Sequence, residues 1–420
     1  MKALVFGQAP DRDEGRPQPA DALEEELLRQ PFGFHHLDDP RLPRPDWVLT
    51  RPILSGICGS DSKLVLGDFA SGDVDNPMAA FSSLPHVPGH EVVAEVVELG
   101  PDAEGLELGQ RVVLNPWLSC APRGVTPLCP ACRRGDLSLC RSFTSGAFGP
   151  GVHVGVATDA PGGWAELLVA HDSMLIPVPD TVSDEAAVLA DPFAVSLHAV
   201  LHHPPPPGAR VLVYGAGALG ATTVAVLGAL YPGREIGVVA RFPAQADLAR
   251  RLGATRVFDH EPRLALVEAL ADWSGGILHQ PFDGLPMTQP GGIDVVYDTI
   301  GKGETMEVGT RVLAERGTLV LSGVHTPERW ESTPIYFKEL TLAGSNAFGI
   351  EEIEGVRKHA LAHYLDLVAA GRVDLTGMLT HRFPLDDWWE ALRVLARQDR
   401  SGAVKVAFEP TAAGSGTGAP

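Results

Sequence analysis

The chain has 420 residues, 45% of them hydrophobic and 20% charged, with a net charge of −20. That length allows two or three domains with sizeable cores, and so acidic a balance argues against nucleic acid or an anionic membrane as a partner, since both attract basic surfaces. Residues 1–6 hold one basic residue and a very short apolar run with no cleavage site, unlike a secretory leader. The most apolar window, residues 211–230, carries Gly215, Gly217, Gly220 and Gly228. It reads as strand, turn and helix and not as a membrane span, so a soluble, cytoplasmic protein is expected.

Residues 1–6 also read as a first strand. Residues 10–45, rich in proline and charge, read as an inserted surface excursion. A short helix is expected at 21–28, with its acidic residues in the first turns, where the helix dipole favours them. A strand over 47–57 leads into Gly56-Ile57-Cys58-Gly59-Ser60-Asp61. Val92, Val93, Val96 and Val97 mark a second strand over 91–99, and a third begins in 109–114. Short strands separated by turn residues predict a compact, β-rich, barrel-like domain.

Cys58, and His90 in Pro88-Gly89-His90-Glu91, offer the sulfur and nitrogen that zinc prefers. Glycine beside each lets the backbone turn sharply. Asp191, in Ala190-Asp191-Pro192-Phe193, is a third candidate ligand. Three protein ligands and one open position make a catalytic zinc site, although Cys58 or His90 alone reads as a core residue. Cys120, Cys129, Cys132 and Cys140 cluster apart from Cys58. Four thiols brought to one point suit a closed structural zinc, with residues 121–127 bulging out as a loop. Five cysteines so arranged fit metal ligation better than disulfides and imply a reducing compartment.

Ser183 should cap a helix that carries Asp191 onward to His203, ended by the prolines at 204–207. A buried strand at 211–214 precedes Gly215-Ala216-Gly217-Ala218-Leu219-Gly220 and an apolar helix at 221–230. That strand–helix setting gives the glycine motif its weight as a dinucleotide cradle, with the helix N-terminus facing the phosphates. Strands at 236–240, 256–258, 293–297 and 318–321 and helices at 244–252 and 305–314 extend the pattern to a doubly wound parallel sheet. Residues 274–292 read as a surface loop, 351–370 and 385–395 as helices, 404–408 as a strand and 411–420 as a disordered tail. Ala240 ends the second strand, where such folds place a carboxylate for the adenine ribose, and Arg241 follows. A guanidinium with no competing acid favours a 2′-phosphate, and so NADP(H) over NAD(H).

The motifs at 56–61 and 89–91, the four-cysteine lobe, an Asp-Pro at 191–192 in place of the commoner Glu-Pro, and the glycine motif at 215–220 occur in one order. In this the sequence resembles the zinc-dependent medium-chain alcohol dehydrogenases, in the branch that includes sorbitol, glucose and threonine dehydrogenases. The resemblance runs from residue 1 to about residue 408. It implies a GroES-like barrel catalytic domain over 1–185 with a structural zinc lobe near 115–142. A Rossmann NAD(P)-binding domain over 186–344 and a return to the first domain over 345–410 follow. It implies two zinc ions per chain, one held by Cys58, His90 and Asp191 and the other by Cys120, Cys129, Cys132 and Cys140. The implied reaction moves a hydride between an alcohol (secondary, polyol or sugar-like) and the nicotinamide, with zinc as Lewis acid.

Ser60 stands where the family uses a hydroxyl to touch the substrate oxygen, and Asp61 would orient ligands. Lys63 takes the place of a relay histidine found in many relatives, and a lysine with its usual pKa of about 10.4 relays poorly near neutrality. Glu91 is either a carboxylate beside the ligands or one that joins the metal during the cycle. The implied partners are a small alcohol or carbonyl and further copies in a homo-dimer or homo-tetramer, with no nucleic acid and no membrane. Trp117, Phe148, Trp164 and Phe348 are candidate pocket walls. Two other readings of the same fold are a zinc-free quinone or enoyl reductase and a non-catalytic NADPH- or zinc-binding protein; neither needs the full set of ligands together with Ser60.

Overall fold

The computed structural model describes residues 1–9, 19, 21–65, 77–325 and 328–411. Part of the early excursion, the segment following Val65 and the tail expected beyond Thr411 lie outside these residues. The chain divides into two compact units. The first comprises Met1–Asp191, Gly349–Ala369 and Leu379–Pro420, and the second Pro192–Phe348 and Ala370–Met378. The division therefore follows Asp191 and not residue 185, and the returning chain contributes one short stretch to the second unit.

The first unit is built on a seven-stranded sheet. Its path runs Leu379–Pro384, Lys405–Glu409, Trp47–Gly56, Glu91–Leu99, Arg111–Leu114 and Leu175–Pro177, and Leu168–His171 also pairs with Trp47–Gly56. All pairings are antiparallel except that between Leu379–Pro384 and Lys405–Glu409. The first four residues of Glu91–Leu99 are buried on both faces, and the strand becomes exposed only toward its far end. A strand buried on both sides at one end is suited to carry a buried ligand there. Apolar side chains fill two cores, one around Trp47, Val92, Leu118 and Phe148 and one around Leu4, Phe32, Trp164 and Phe408. Phe148 and Trp164 are thus core residues: Phe148 packs on Trp47 and Trp164 on Phe32 and Phe408.

The excursion after the first strand is more than a tolerated loop. Lys2–Phe6 pairs antiparallel with Phe32–His36. Between them the helix Ala22–Arg29 is capped by Asp21, whose carboxylate accepts from the Glu24 N–H at 3.1 Å. Glu24 is buried and accepts from Arg393 at 2.9 Å and Arg397 at 2.6 Å, which fastens the excursion to the last helical region.

Two expected helices are corrected. Residues 350–359 form a hairpin, Ile350–Ile353 against Val356–His359, and the helix is only Ala360–Ala369. Glu354 and Gly355 both take positive φ, the geometry that a two-residue hairpin turn demands. The helix expected from Ser183 to His203 is two: Asp184–Ala187, capped by Ser183, and Ala190–His202. Pro192 is accommodated because it lies in the first turn, where no helical N–H is needed. Asp191 occupies that turn.

The second unit is a six-stranded parallel sheet. Its order is Arg256–Asp259, Glu235–Ala240, Arg210–Tyr214, Ile293–Asp298, Leu313–Leu321, Thr341–Gly344. Counted along the chain this is 3-2-1-4-5-6, the doubly wound order whose switch point lies between the first and fourth strands. Arg263–Ser274 adds a helix with no counterpart in the sequence expectations, and the loop at 274–292 contains a small hairpin of Leu278–His279 with Met287–Thr288.

Candidate metal and cofactor sites

Cys58 is the second residue beyond the strand Trp47–Gly56, and the helix Gly59–Val65 follows it. His90 immediately precedes the neighbouring strand Glu91–Leu99, and Gly56 pairs with Glu91 across the ladder. Antiparallel pairing therefore brings the two motifs together. The ligand atoms of Cys58, His90 and Glu91 all lie within 4.8 Å of one another. A Cβ at Gly56 would collide with the Glu91 carboxylate, which is the physical need for glycine there. Gly89, at φ +98, lies close against Trp164 and Ser55, so its lack of a side chain sets the approach of His90.

Asp61 is buried at the start of the short helix. Its Oδ2 accepts from the Cys58 N–H at 3.1 Å, and its Oδ1 lies 3.5 Å from His90 Nδ1. Burial would raise its pKa, but the charge and hydrogen bond of His90 outweigh that and hold it below the usual carboxylate range. In turn, burial works against protonated His90, while Asp61 and Cys58 raise its pKa well above the ordinary value. With Nδ1 facing Asp61, His90 keeps Nε2 for a metal, the arrangement in which a carboxylate orients a histidine ligand.

Asp191 is buried close enough for its charge to be felt with those of His90, Glu91, Lys405 and Asp61, and burial pushes its pKa up to about 7. It does not belong to the closest trio; Glu91 does. Ser60 is exposed at the beginning of the short helix, and Lys63 is half-buried one turn further along it. This donor set fits a zinc ion: one sulfur, one imidazole nitrogen and carboxylate oxygens in a partly closed chamber.

Two residues of this chamber were not assigned from sequence. Lys405, on the final strand, is almost fully buried; it is ion-paired with Glu91 and donates to the Ile57 carbonyl at 3.0 Å. A lysine inside the apolar run 403–408 was its available signal, since lysine is almost never fully buried unless paired. His153 packs its ring 4.7 Å from that of His90 and 5.9 Å from that of Trp117. Burial, with His90 nearby, pushes its pKa down to about 3.

The four lobe sulfurs also lie within 4.8 Å of one another. Cys120 Sγ is 3.6 Å from Cys140 Sγ, against the edge of about 3.8 Å for a tetrahedron with Zn–S near 2.3 Å. Cys129 caps the helix Pro130–Arg134, and N–H groups of Cys129, Cys132 and Ser142 point at sulfurs of Cys120, Cys129 and Cys140. The hydrogen bond from Cys132 pulls Cys140 down to about 5. The chemistry is that of a closed thiolate site.

The long spacer does not bulge away. Arg123 within it is 1% exposed and donates to the carbonyls of Leu118, Ser145, Phe148, Gly149 and Gly151. The spacer thus organises the loop that leads to His153.

In the second unit Gly215 follows the strand Arg210–Tyr214 at φ +103, and a Cβ there would come within 2.6 Å of Thr299 Oγ1. A Cβ on Gly220 would strike the Gly215 carbonyl, whereas one on Gly217 would enter open space. Gly217 caps the helix Ala218–Leu230, so Ala218 and Leu219 sit in its first turn. The open side of Gly217 and the helix N-terminus at the switch point fit a dinucleotide pyrophosphate. Ala240 is the last residue of Glu235–Ala240, and Arg241 is exposed directly after it, its guanidinium 5.2 Å from the Phe242 ring. No helix among the described residues is long and apolar enough to cross a membrane.

Comparison with known proteins agrees with both units. Residues 44–180 match the alcohol dehydrogenase GroES-like domain, and residues 218–362 the zinc-binding dehydrogenase domain. L-galactonate-5-dehydrogenase of Escherichia coli (strain K12) is 31% identical over 332 residues, covering 78% of this chain and 82% of that protein. A zinc-binding dehydrogenase of Sinorhizobium meliloti 1021, solved bound to NADP, superposes with a TM-score of 0.67 at 27% identity over 90% of this chain and 95% of that one. The 2R,3R-butanediol dehydrogenase of Bacillus subtilis shares the fold with a TM-score of 0.70 at 22% identity, over 97% and 99% of the two chains. These relatives do not favour a zinc-free reductase or a non-catalytic binder. The chain belongs to the zinc-dependent medium-chain alcohol dehydrogenase family and is an oxidoreductase that acts on CH–OH groups with a nicotinamide cofactor.

Proposed function

We propose that this enzyme interconverts a secondary alcohol and its ketone on a small polyol or diol in which a second hydroxyl neighbours the reacting carbon, with two zinc ions per chain and NADP(H) in preference to NAD(H). The donor set of the first unit's chamber carries the metal reading. The ligand atoms of Cys58, His90 and Glu91 lie within 4.8 Å of one another, and Asp61 and Asp191 are buried beside them. Sulfur, imidazole nitrogen and carboxylate oxygens brought this close are the donors a zinc ion takes. Zinc held by Cys58 and His90, with Asp191 as the third ligand while Glu91 stays with Lys405, would supply the Lewis acidity that lets an alcohol ionise near neutral pH.

The protein's own groups do the rest. Asp61 holds Cys58 and His90 in register, and Lys405 keeps Glu91 ion-paired. Ser60 offers its hydroxyl to the substrate proton. Lys63 lies three residues along the same helical face and is the next titratable group on that helix. Support for the substrate class comes from relatives named for L-galactonate and 2R,3R-butanediol, where the reacting carbon adjoins another hydroxyl-bearing carbon. The cofactor reading is supported by the absence of a carboxylate at Ala240 and by the exposed guanidinium of Arg241.

We also propose that two copies pair along Thr341–Gly344. This edge strand exposes Leu342, and the helix before it exposes Tyr336 and Phe337. Light scattering of Leu342→Lys against the parent protein reads this; an unchanged mass overturns it. The five unpaired cysteines suit a reducing, cytoplasmic setting.

Nicotinamide absorbance over a panel of diols, polyols and mono-alcohols tests substrate and cofactor together. A higher kcat/KM with NADP⁺ than with NAD⁺, narrowed by Arg241→Ala, is expected. A clear preference for NAD⁺ overturns the cofactor reading, and failure to turn over any diol or polyol overturns the substrate reading.

A further inference from the structure

His153 is set by its surroundings with more care than a packing residue requires. Its backbone is clamped on both sides: the Leu118 N–H donates to the Val152 carbonyl at 3.0 Å, and the Val154 N–H donates to the Pro116 carbonyl at 2.9 Å. Residues 117 and 153 form an antiparallel bridge. The following Gly155, at φ +87, lies against Gly89, the residue before His90. The imidazole is thereby placed beside His90 and edge-on to Trp117. Its Nδ1 lies 2.5 Å from the Val154 carbonyl oxygen. A carbonyl cannot donate, so Nδ1 carries the hydrogen, and Nε2 of the neutral ring is left as an acceptor. Among the described residues no partner for Nε2 is present, and the side chain is only partly buried.

We propose that His153 determines specificity for a substrate with two neighbouring hydroxyls: Nε2 accepts a hydrogen bond from the hydroxyl on the carbon beside the one oxidised. This rests on the diol or polyol reading of the substrate. The His153 ring lies 4.7 Å from that of His90, so its acceptor is offered beside the ligand cluster, where a group near the reacting carbon would lie. A mono-alcohol leaves the acceptor without a donor, and a site built for a hydrogen bond discriminates against the ligand that lacks it.

The test compares kcat/KM for 2,3-butanediol and 2-butanol with NADP⁺ in the parent enzyme, His153→Phe and His153→Gln. Phenylalanine keeps the ring and removes the acceptor; glutamine restores one. His153→Phe should lose about 10- to 100-fold on the diol, the cost of a buried donor left unsatisfied, with a much smaller loss on 2-butanol and with zinc content and circular dichroism as in the parent. His153→Gln should recover part of the diol activity. Equal losses on both substrates, or an intact diol preference in His153→Phe, overturn the assignment. A parent enzyme that treats both substrates alike defeats the diol reading itself, and is told apart because it appears before any substitution is made.

Discussion

Lys405 on the last strand and Glu91 on the strand that follows His90 form an ion pair in which both side chains are at most 2% exposed. Breaking such a pair from one side leaves a buried charge with no partner, at a cost of about 3–5 kcal/mol. Lys405→Met should therefore be strongly destabilised in denaturant titrations. The double variant Lys405→Met/Glu91→Gln should regain much of the loss. If the two single effects simply add, the pair is not coupled.

Arg123 is expected to matter as much as a lobe cysteine. Its guanidinium serves five carbonyls, and each one left unsatisfied when buried costs about 1–3 kcal/mol. Arg123→Met should lower the melting temperature and admit protease between residues 121 and 151. A variant that resists cleavage there as the parent does would show that the spacer holds itself.

Metal content separates the two proposed zinc sites. Cys132→Ala should lose about one equivalent and soften the lobe, because closed thiolate sites contribute folding energy directly. Cys58→Ala should lose the other equivalent and its activity while the fold persists. Elemental analysis with a thermal melt reads both. Full activity in Cys58→Ala would remove that thiolate from the reaction.

Lys338 gives the second unit a pH dependence. Burial pulls its ammonium down to about 8 from the ordinary 10.5, although Nζ donates to the carbonyls of Arg311 and Leu313. Between these values the unfolded chain binds the proton more tightly than the folded one, so stability rises with pH, by at most about 1.4 kcal/mol per unit. Below pH 8 the penalty is fully present, and above 10.5 it is gone. The stability of the parent relative to Lys338→Met should therefore climb across that window. Thr288 Oγ1, within reach of both carbonyls, still serves one of them in the variant. A flat difference would show that the lysine titrates normally.

Much of this was legible because motif and ladder agree. Gly56, Cys58, Gly89 and His90 are adjacent in the chain to strand ends that pair, so the ligand cluster follows from strand assignment. The parallel sheet follows likewise from the alternation of strands and helices around Gly215. What escaped reading depended on contacts distant in sequence. Lys405 is buried because Glu91 meets it, and nothing within a few residues announces that. Arg123 looks like a loop residue until five carbonyls are seen around it. The hairpin at 350–359 was hidden by charged residues with a helical look; only the Glu354-Gly355 turn betrayed it.

The last strand also sets an order of assembly. Residues 192–348 belong to the second unit, a continuous parallel sheet that can form while synthesis proceeds. The first unit cannot complete its sheet until Lys405–Glu409 has been made and paired with Trp47–Gly56. Until then Glu91 lacks the cation that neutralises it, and the early strands wait with an unpaired edge. Such a chain has a long-range closure as its final event, and contacts of that kind slow folding and prolong exposure to aggregation. A nascent chain halted before residue 405 is therefore expected to display a finished second unit beside an open first one.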